Sequence, residues 1–111
     1  VLDMNESIKP EDIDPIIHER VRLAIVSALA AAPEMSFNDL KSTLGLSDGN
    51  LSAHAKNLQQ AGYIEIAKSF KGRRPHTAMR LTPAGLEAFQ GYVNMLRKII
   101  QKGDEARDES G

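Results

Sequence analysis

Two short runs of this chain hold most of the side chains able to do chemistry. Lys68, Lys71, Arg73, Arg74 and Arg80 fall in one stretch, with no acidic residue from Lys68 to Arg80. Clustered cations of this kind raise the local potential and suit an anionic partner. The second run, Ser47 to Gln60, is small and polar: Gly49, Asn50, Ser52, Ala53, His54, Lys56 and Asn57 lie in it. At 100° per residue, Leu51, Ala55 and Leu58 define a buried face there. Gly49, Ala53, Lys56 and Gln60 lie opposite, with Asn50, Ser52 and Asn57 on the shoulders. Short or hydrogen-bonding side chains on a helix match the major groove of DNA, where Asn or Gln can bond adenine N6 and N7 together and an Ala methyl meets thymine. Asn50 and Asn57 are the strongest base-reading candidates. Asp48 lies in the first turn, where an acid complements the helix dipole. His54 sits about 60° from the buried centre by the same periodicity, between a buried hydrogen-bonded role and a phosphate contact.

Other chemistries find little support. His18, His54 and His76 fall on three separate elements without ligand spacing, and the absence of cysteine excludes thiolate metal sites and disulfides. No nucleophile elbow, glycine-rich phosphate loop or paired-histidine motif is present, so no enzyme is expected and no cofactor. The chain is expected to work in the reducing cytoplasm, with no signal peptide and no membrane span, since Leu23 to Pro33 is far short of the roughly 20 apolar residues a span needs. Val1 is not an initiator methionine, and Met4 is the expected native start.

The net charge of −1 conceals a division. Residues 1–19 carry one Lys against six acids, residues 20–102 carry twelve Lys and Arg against five acids, and residues 103–111 carry one Arg against four. A basic body thus lies between acidic ends. With 111 residues, 41% of them hydrophobic, the chain has the size and composition of one globular domain.

The elements that must position these residues are announced by caps and stops. Asp14 before Pro15 predicts a first helix to about Ala32, with Ile17, Val21, Ala24, Ile25, Ala28 and Leu29 on one face and Pro33 ending it. Ser36 with Asp39 resembles a capping box, stapled by Met35 and Leu40, and opens a short helix from Phe37 to about Leu44 that Gly45 stops. Ser47 then caps a third helix to about Ala61, closed by Gly62. A tight turn between a short and a longer helix is a helix-turn-helix signature. Alternation from Tyr63 to Phe70 and from His76 to Leu81 predicts two strands of a hairpin, with Lys71 to Pro75 as its basic turn. Thr82 and Pro83 open a long last helix to about Lys102. The expected organisation is a flexible polar segment 1–13, a domain over 14–102 whose final helix spans 83–102, and an acidic disordered tail 103–111.

Helix, helix, helix, hairpin, helix is the winged-helix order, mainly α with a small β-hairpin. The run from Leu46 to Leu58, then Ala61-Gly62-Tyr63-Ile64, the basic hairpin and Leu81-Thr82-Pro83-Ala84-Gly85 resemble the short winged-helix transcriptional regulators related to the MarR and ArsR families. The resemblance spans about residues 14 to 100. It implies a double-stranded DNA partner, with the helix from Ser47 to Ala61 in the major groove. It also implies a wing along the backbone or in the minor groove, with contacts from Lys68, Lys71, Arg73 and Arg74. Ser36, Lys41 and His76 are further backbone candidates. Without cysteine the thiolate metal-sensing motif of many ArsR-type proteins is missing, and without the extra terminal helices usual in MarR proteins no effector is specified.

Leu86, Phe89, Val93, Leu96 and Ile100 repeat at spacings of 3, 4, 3 and 4, the pattern of a coiled-coil seam. Tyr92 and Ile99 widen it. A homodimer is expected through this helix, with Ile17 and Val21 of the first helix as a second component, and a two-fold dimer predicts an inverted-repeat operator. The competing reading is a winged-helix interaction module whose hairpin binds an acidic protein partner.

Overall fold

Local caps and glycine stops set the order of elements, and the core ties them together. The computed structural model describes residues 8–110. A 3-10 turn (Pro10–Asp12) precedes α1 (Arg20–Ala31), the two-residue strand β1 (Met35–Ser36), α2 (Phe37–Leu44) and α3 (Asp48–Gln60). The strands β2 (Ile64–Lys71) and β3 (Arg74–Leu81) and the long α4 (Pro83–Ser110) follow. Ser36 Oγ accepts the Asp39 N–H at 3.0 Å and Ser47 Oγ accepts the Asn50 N–H at 3.1 Å, each satisfying a first-turn amide that the helix itself cannot. Between them Gly45 takes φ 65°, and the Leu46 amide turns back to the Lys41 carbonyl at 3.0 Å.

Ile25, Val26 and Leu29 of α1, Leu40 of α2, Leu51, Ala55 and Leu58 of α3, and Ile64 and Met79 of the sheet form one buried cluster. The sheet is antiparallel in the order β1-β3-β2. Pairing of Met35 with Met79 and Ser36 with Ala78 makes three strands of what the sequence predicts as a hairpin. Two residues are too few to show an alternating pattern, which is why β1 leaves no trace in the sequence.

Thr82 joins α4 to the rest. Its Oγ1 accepts the Gly85 N–H at 3.0 Å as an N-cap and donates to the Gly62 carbonyl at 2.6 Å, while its amide bonds the Tyr63 carbonyl at 3.0 Å. A Cβ on Gly85 would strike the Tyr63 carbonyl oxygen and stand 2.9 Å from Leu81 Cδ1. The Thr-Pro-Ala-Gly sequence is therefore a docking joint as well as a helix start.

Three boundaries differ from expectation. Asp14 does cap a turn, accepting from Ile16 N at 2.8 Å and Ile17 N at 3.2 Å, but the turn ends there and α1 begins afresh at Arg20. Glu19 is extended and accepts the Val21 and Arg22 amides, and Arg22 Nε donates to the Ile16 carbonyl at 2.7 Å. Those bonds replace the ones a continuous helix would make. Within the segment expected to be flexible, residues 1–7 and with them Met4 lie outside the described residues, and residues 10–12 form the 3-10 turn. At the other end α4 continues through Gly103, where a stop and a disordered tail are expected, to Ser110. Gly103 is not at positive φ, and Arg107 meets Asp104 at 3.3 Å one turn apart. Charges placed three and four apart keep a polar helix going.

The hairpin turn is tighter than expected. Lys71 pairs with Arg74, leaving only Gly72 and Arg73 between the strands, with Gly72 at φ 66° and no positive φ at Arg73. Positive φ at the first central residue alone is the type II′ pattern that suits the twist of a hairpin. Pro75 is thus inside β3, opposite Phe70, beyond the reach of the short β1, where no ladder bond on its other side is lost.

Candidate nucleic-acid interface

On α3 the amphipathic reading places the polar face outward. Leu51, Ala55 and Leu58 are buried, while Ser47, Gly49, Asn50, Ser52, Ala53, Lys56, Asn57 and Gln60 are exposed. Asp48 is held apart from this face by an ion pair to Lys41 Nζ at 2.7 Å across the α2–α3 turn. Lys41, expected on the DNA backbone, already has that carboxylate as a partner, at the dipole ends where each charge is favoured.

His54 does not join the outward face. Its side chain is only 20% exposed, and Nδ1 lies 3.2 Å from Arg22 Nη1 and 3.5 Å from Glu19 Oε1. Arg22 can only donate, so its contact takes Nδ1 as an acceptor, whereas the Glu19 contact takes Nδ1 as a donor. Glu19 is kept below the ordinary carboxylate range. Burial opposes that shift, but the Arg22 N–H bond, the His54 and Arg22 charges and the Val21 N–H outweigh it. Of the two roles expected for His54, a phosphate contact and a buried hydrogen-bonded one, the geometry is that of the second: the ring braces α3 against the N-terminal end of α1. Sequence spacing could not reveal this hub, because its three members are brought together only by packing.

The wing carries the cations. Lys68, Lys71, Arg73 and Arg74 are exposed, and among the described residues none of the four forms an ion pair. Arg80, by contrast, pairs with Glu65 at 3.0 Å directly across the ladder, so the basic cluster is opposed by an acid at its base. Between α3 and the wing runs an open groove of about 820 Å³, lined by Ser52, Lys56 and Gln59 on one wall and Ile66, Lys68 and Thr77 on the other. Ser36 and His76 are half-buried and share a smaller hollow of about 180 Å³ between the start of α2 and the wing. The Ser36 and Ser47 hydroxyls accept their cap amides, and among the described residues their O–H donors have no acceptor.

Tyr63, at the corner between α3 and β2, was not singled out by sequence. Its hydroxyl donates to Asp14 Oδ2 at 2.5 Å. That bond to a carboxylate, together with burial and the Asp14 charge, pushes its pKa up to about 12. Asp14 so ties the N-terminal turn to the base of the wing.

The expected dimer residues divide between core and surface. Ile17 is fully buried within its own chain and presents nothing to a partner, a correction to its expected interface role. Phe89 packs against the core, Val21 and Val93 are half-buried, and Tyr92 is buried with its hydroxyl 2.8 Å from His18 Nδ1. Leu86, Leu96, Ile99 and Ile100 remain exposed. Among the described residues no three His, Asp or Glu side chains gather as a metal site, and no helix is long and apolar enough to cross a membrane.

A helix-turn-helix whose second helix shows an acid-free polar face beside a basic β-wing defines a winged-helix regulator rather than an enzyme. The family model for the winged helix DNA-binding domain matches residues 21–100, and the chain belongs to that family. An uncharacterized protein of Methanocaldococcus jannaschii is 37% identical over 78 residues, 70% of this chain and 85% of that one. Among solved structures, a transcriptional regulator homologue from Pyrococcus horikoshii is similar with a TM-score of 0.76 at 26% identity, covering 94% of this chain and 99% of that one. The fold is also that of the PcaV transcriptional regulator of Streptomyces coelicolor, with a TM-score of 0.61 and 22% identity over 70% of this chain and 57% of that one.

Proposed function

We propose that this protein is a sequence-specific, homodimeric DNA-binding transcriptional regulator of the cytoplasm. The observation that carries the reading is the pairing of an acid-free exposed α3 face with a wing bearing four cations that have no ion-pair partner among the described residues. In this reading α3 enters the major groove, where Asn50 and Asn57 read base edges and Ala53 meets a thymine methyl. Lys56, the wing cations and the free O–H groups of Ser36 and Ser47 hold phosphates and set the register. His76, opposite Ser69, belongs to the outer part of the wing.

The dimer rests on α4. At 28 residues it is about 42 Å long by its rise, and the molecule measures 64 × 25 × 22 Å, so the helix extends well beyond the body it starts from. A projecting helix with Leu96, Ile99 and Ile100 open to water gains by packing on a second copy. Two-fold pairing would space the two α3 helices about 34 Å apart, one turn of DNA, on an inverted repeat.

The test is a titration against a fragment of the protein's own upstream region and an unrelated fragment, each at about 50 and 200 mM salt. Tighter binding to its own region that survives the higher salt supports the regulator. Equal binding to both fragments, lost at the higher salt, overturns sequence reading and returns the wing to the role of a polycation for an acidic protein partner.

A further inference from the structure

Among the described residues the most exposed large apolar side chain sits in the basic wing. Phe70 is 72% exposed, near the end of β2, directly across from Pro75 on β3. Lys68, Lys71, Arg73 and Arg74 surround it in sequence. A wing needing only phosphate contacts has no use for a phenyl ring in water. An apolar protein surface is a poor occupant too, because it would desolvate the flanking cations without compensation.

Strand alternation shows which way the ring faces. Ile66, Lys68 and Phe70 share one face of β2, and their cross-strand partners Met79, Thr77 and Pro75 share the same face of β3. Ile66 and Met79 line the inner end of the groove against α3, with Lys68 and Thr77 further out. Phe70 and Pro75 continue that row to the wing tip, on the side of the hairpin that α3 occupies. Lys71 and Arg74 project from the opposite face, so cations stand on both sides of the apolar pair. The minor groove of DNA offers the matching arrangement: apolar deoxyribose walls and base faces, about 6 Å across, between two rows of phosphates.

We infer that Phe70, backed by Pro75, is an apolar wedge that enters the DNA minor groove beside the α3 half-site and partly unstacks a base step, while Lys68, Lys71 and Arg74 hold the phosphates on either side. Apolar side chains inserted in this way favour flexible steps and kink the duplex. The wedge would thus select flanking sequence through deformability, outside the base pairs that α3 reads. This rests on the DNA-reading function proposed above.

The experiment compares the full-length wild type with F70A and F70W on the upstream fragment, by anisotropy titration across salt and by hydroxyl-radical footprinting, which reports access to minor-groove sugars. F70A is expected to bind about 10- to 100-fold more weakly, the range for exposing a phenyl group. Its salt slope should stay unchanged, because every cation remains. Protection should be lost only in the flanking minor groove, and F70W should restore affinity. Thermal melts establish that the exposed substitution leaves the fold intact. Unchanged F70A affinity and footprint, where the wild type prefers its own fragment, overturn the wedge and leave the regulator standing. A drop in salt slope overturns it as well, by showing that Phe70 only positions the cations. A wild type without fragment preference removes the DNA-reading function itself, and the wedge with it.

Discussion

Arg22 illustrates how little a residue's type says about its use. It belongs to the basic body of the chain, yet its guanidinium is spent on the Ile16 carbonyl at 2.7 Å and on His54 Nδ1 at 3.2 Å. Arg22→Ala should therefore lower stability by about 1–3 kcal/mol, as expected when partly buried acceptors lose their donor, measured by urea unfolding. Arg73→Ala and Arg74→Ala should behave oppositely, leaving stability unchanged while each reduces the salt slope of DNA binding by about one. Asn50→Ala should cost about 1–3 kcal/mol only at particular base pairs. Tyr63 supplies a pH signature. Its hydroxyl must stay protonated to donate to Asp14, and its folded pKa of about 12 lies above the ordinary 10.0. The stabilisation is thus fully present below pH 10 and is lost as pH rises through 12. Unfolding curves of wild type should fall across that window relative to Tyr63→Phe, which should itself cost about 1 kcal/mol at neutral pH.

At the scale of elements, the joint between α4 and the sheet corner is the most constrained. Gly85 gives α4 its approach to the Tyr63 carbonyl, and the side-chain bonds of Thr82 hold it there. Gly85→Ala gains helix propensity but forces the helix outward, and the overlap should dominate, destabilising by about 1–3 kcal/mol in thermal unfolding. The helix starts at Ser36, Ser47 and Thr82 were legible because a cap, its amide and its staple lie within a few residues. The start of α1 was not, since Asp14 and Pro15 form a valid local start that tertiary bonds then cut short. The same limit hid β1, which exists only because β3 passes beside it.

For the whole molecule, α4 divides into a docked half and a projecting half, and the proposed pairing of copies rests on the second. Phe89 and Tyr92 serve their own domain, whereas Leu96, Ile99 and Ile100 stay open. Leu96→Glu combined with Ile100→Glu should yield a monomer by sedimentation velocity while preserving the domain's fold. The wild type should show a melting temperature that rises with protein concentration, as for any protein stabilised by self-association. A wild-type monomer at micromolar concentration would sink the two-fold reading and its inverted-repeat operator together.

Residue order carries the features encoded within a turn or two of chain: the caps at Ser36, Ser47 and Thr82, the stops at Gly45 and Gly62, the alternation of the wing, the polar face of α3 and the cationic tip beside it. These depend on neighbours a few positions away, so residue order is enough to read them. The tertiary structure alone decided which charges are spent and which remain. Glu65 neutralises Arg80, Asp48 engages Lys41, and Arg22 and Glu19 draw His54 inward, while Lys68, Lys71, Arg73 and Arg74 of the wing have no ion pair among the described residues. Those pairings each join two different elements, and burial of the shared core is the physical cause that brings them within bonding distance.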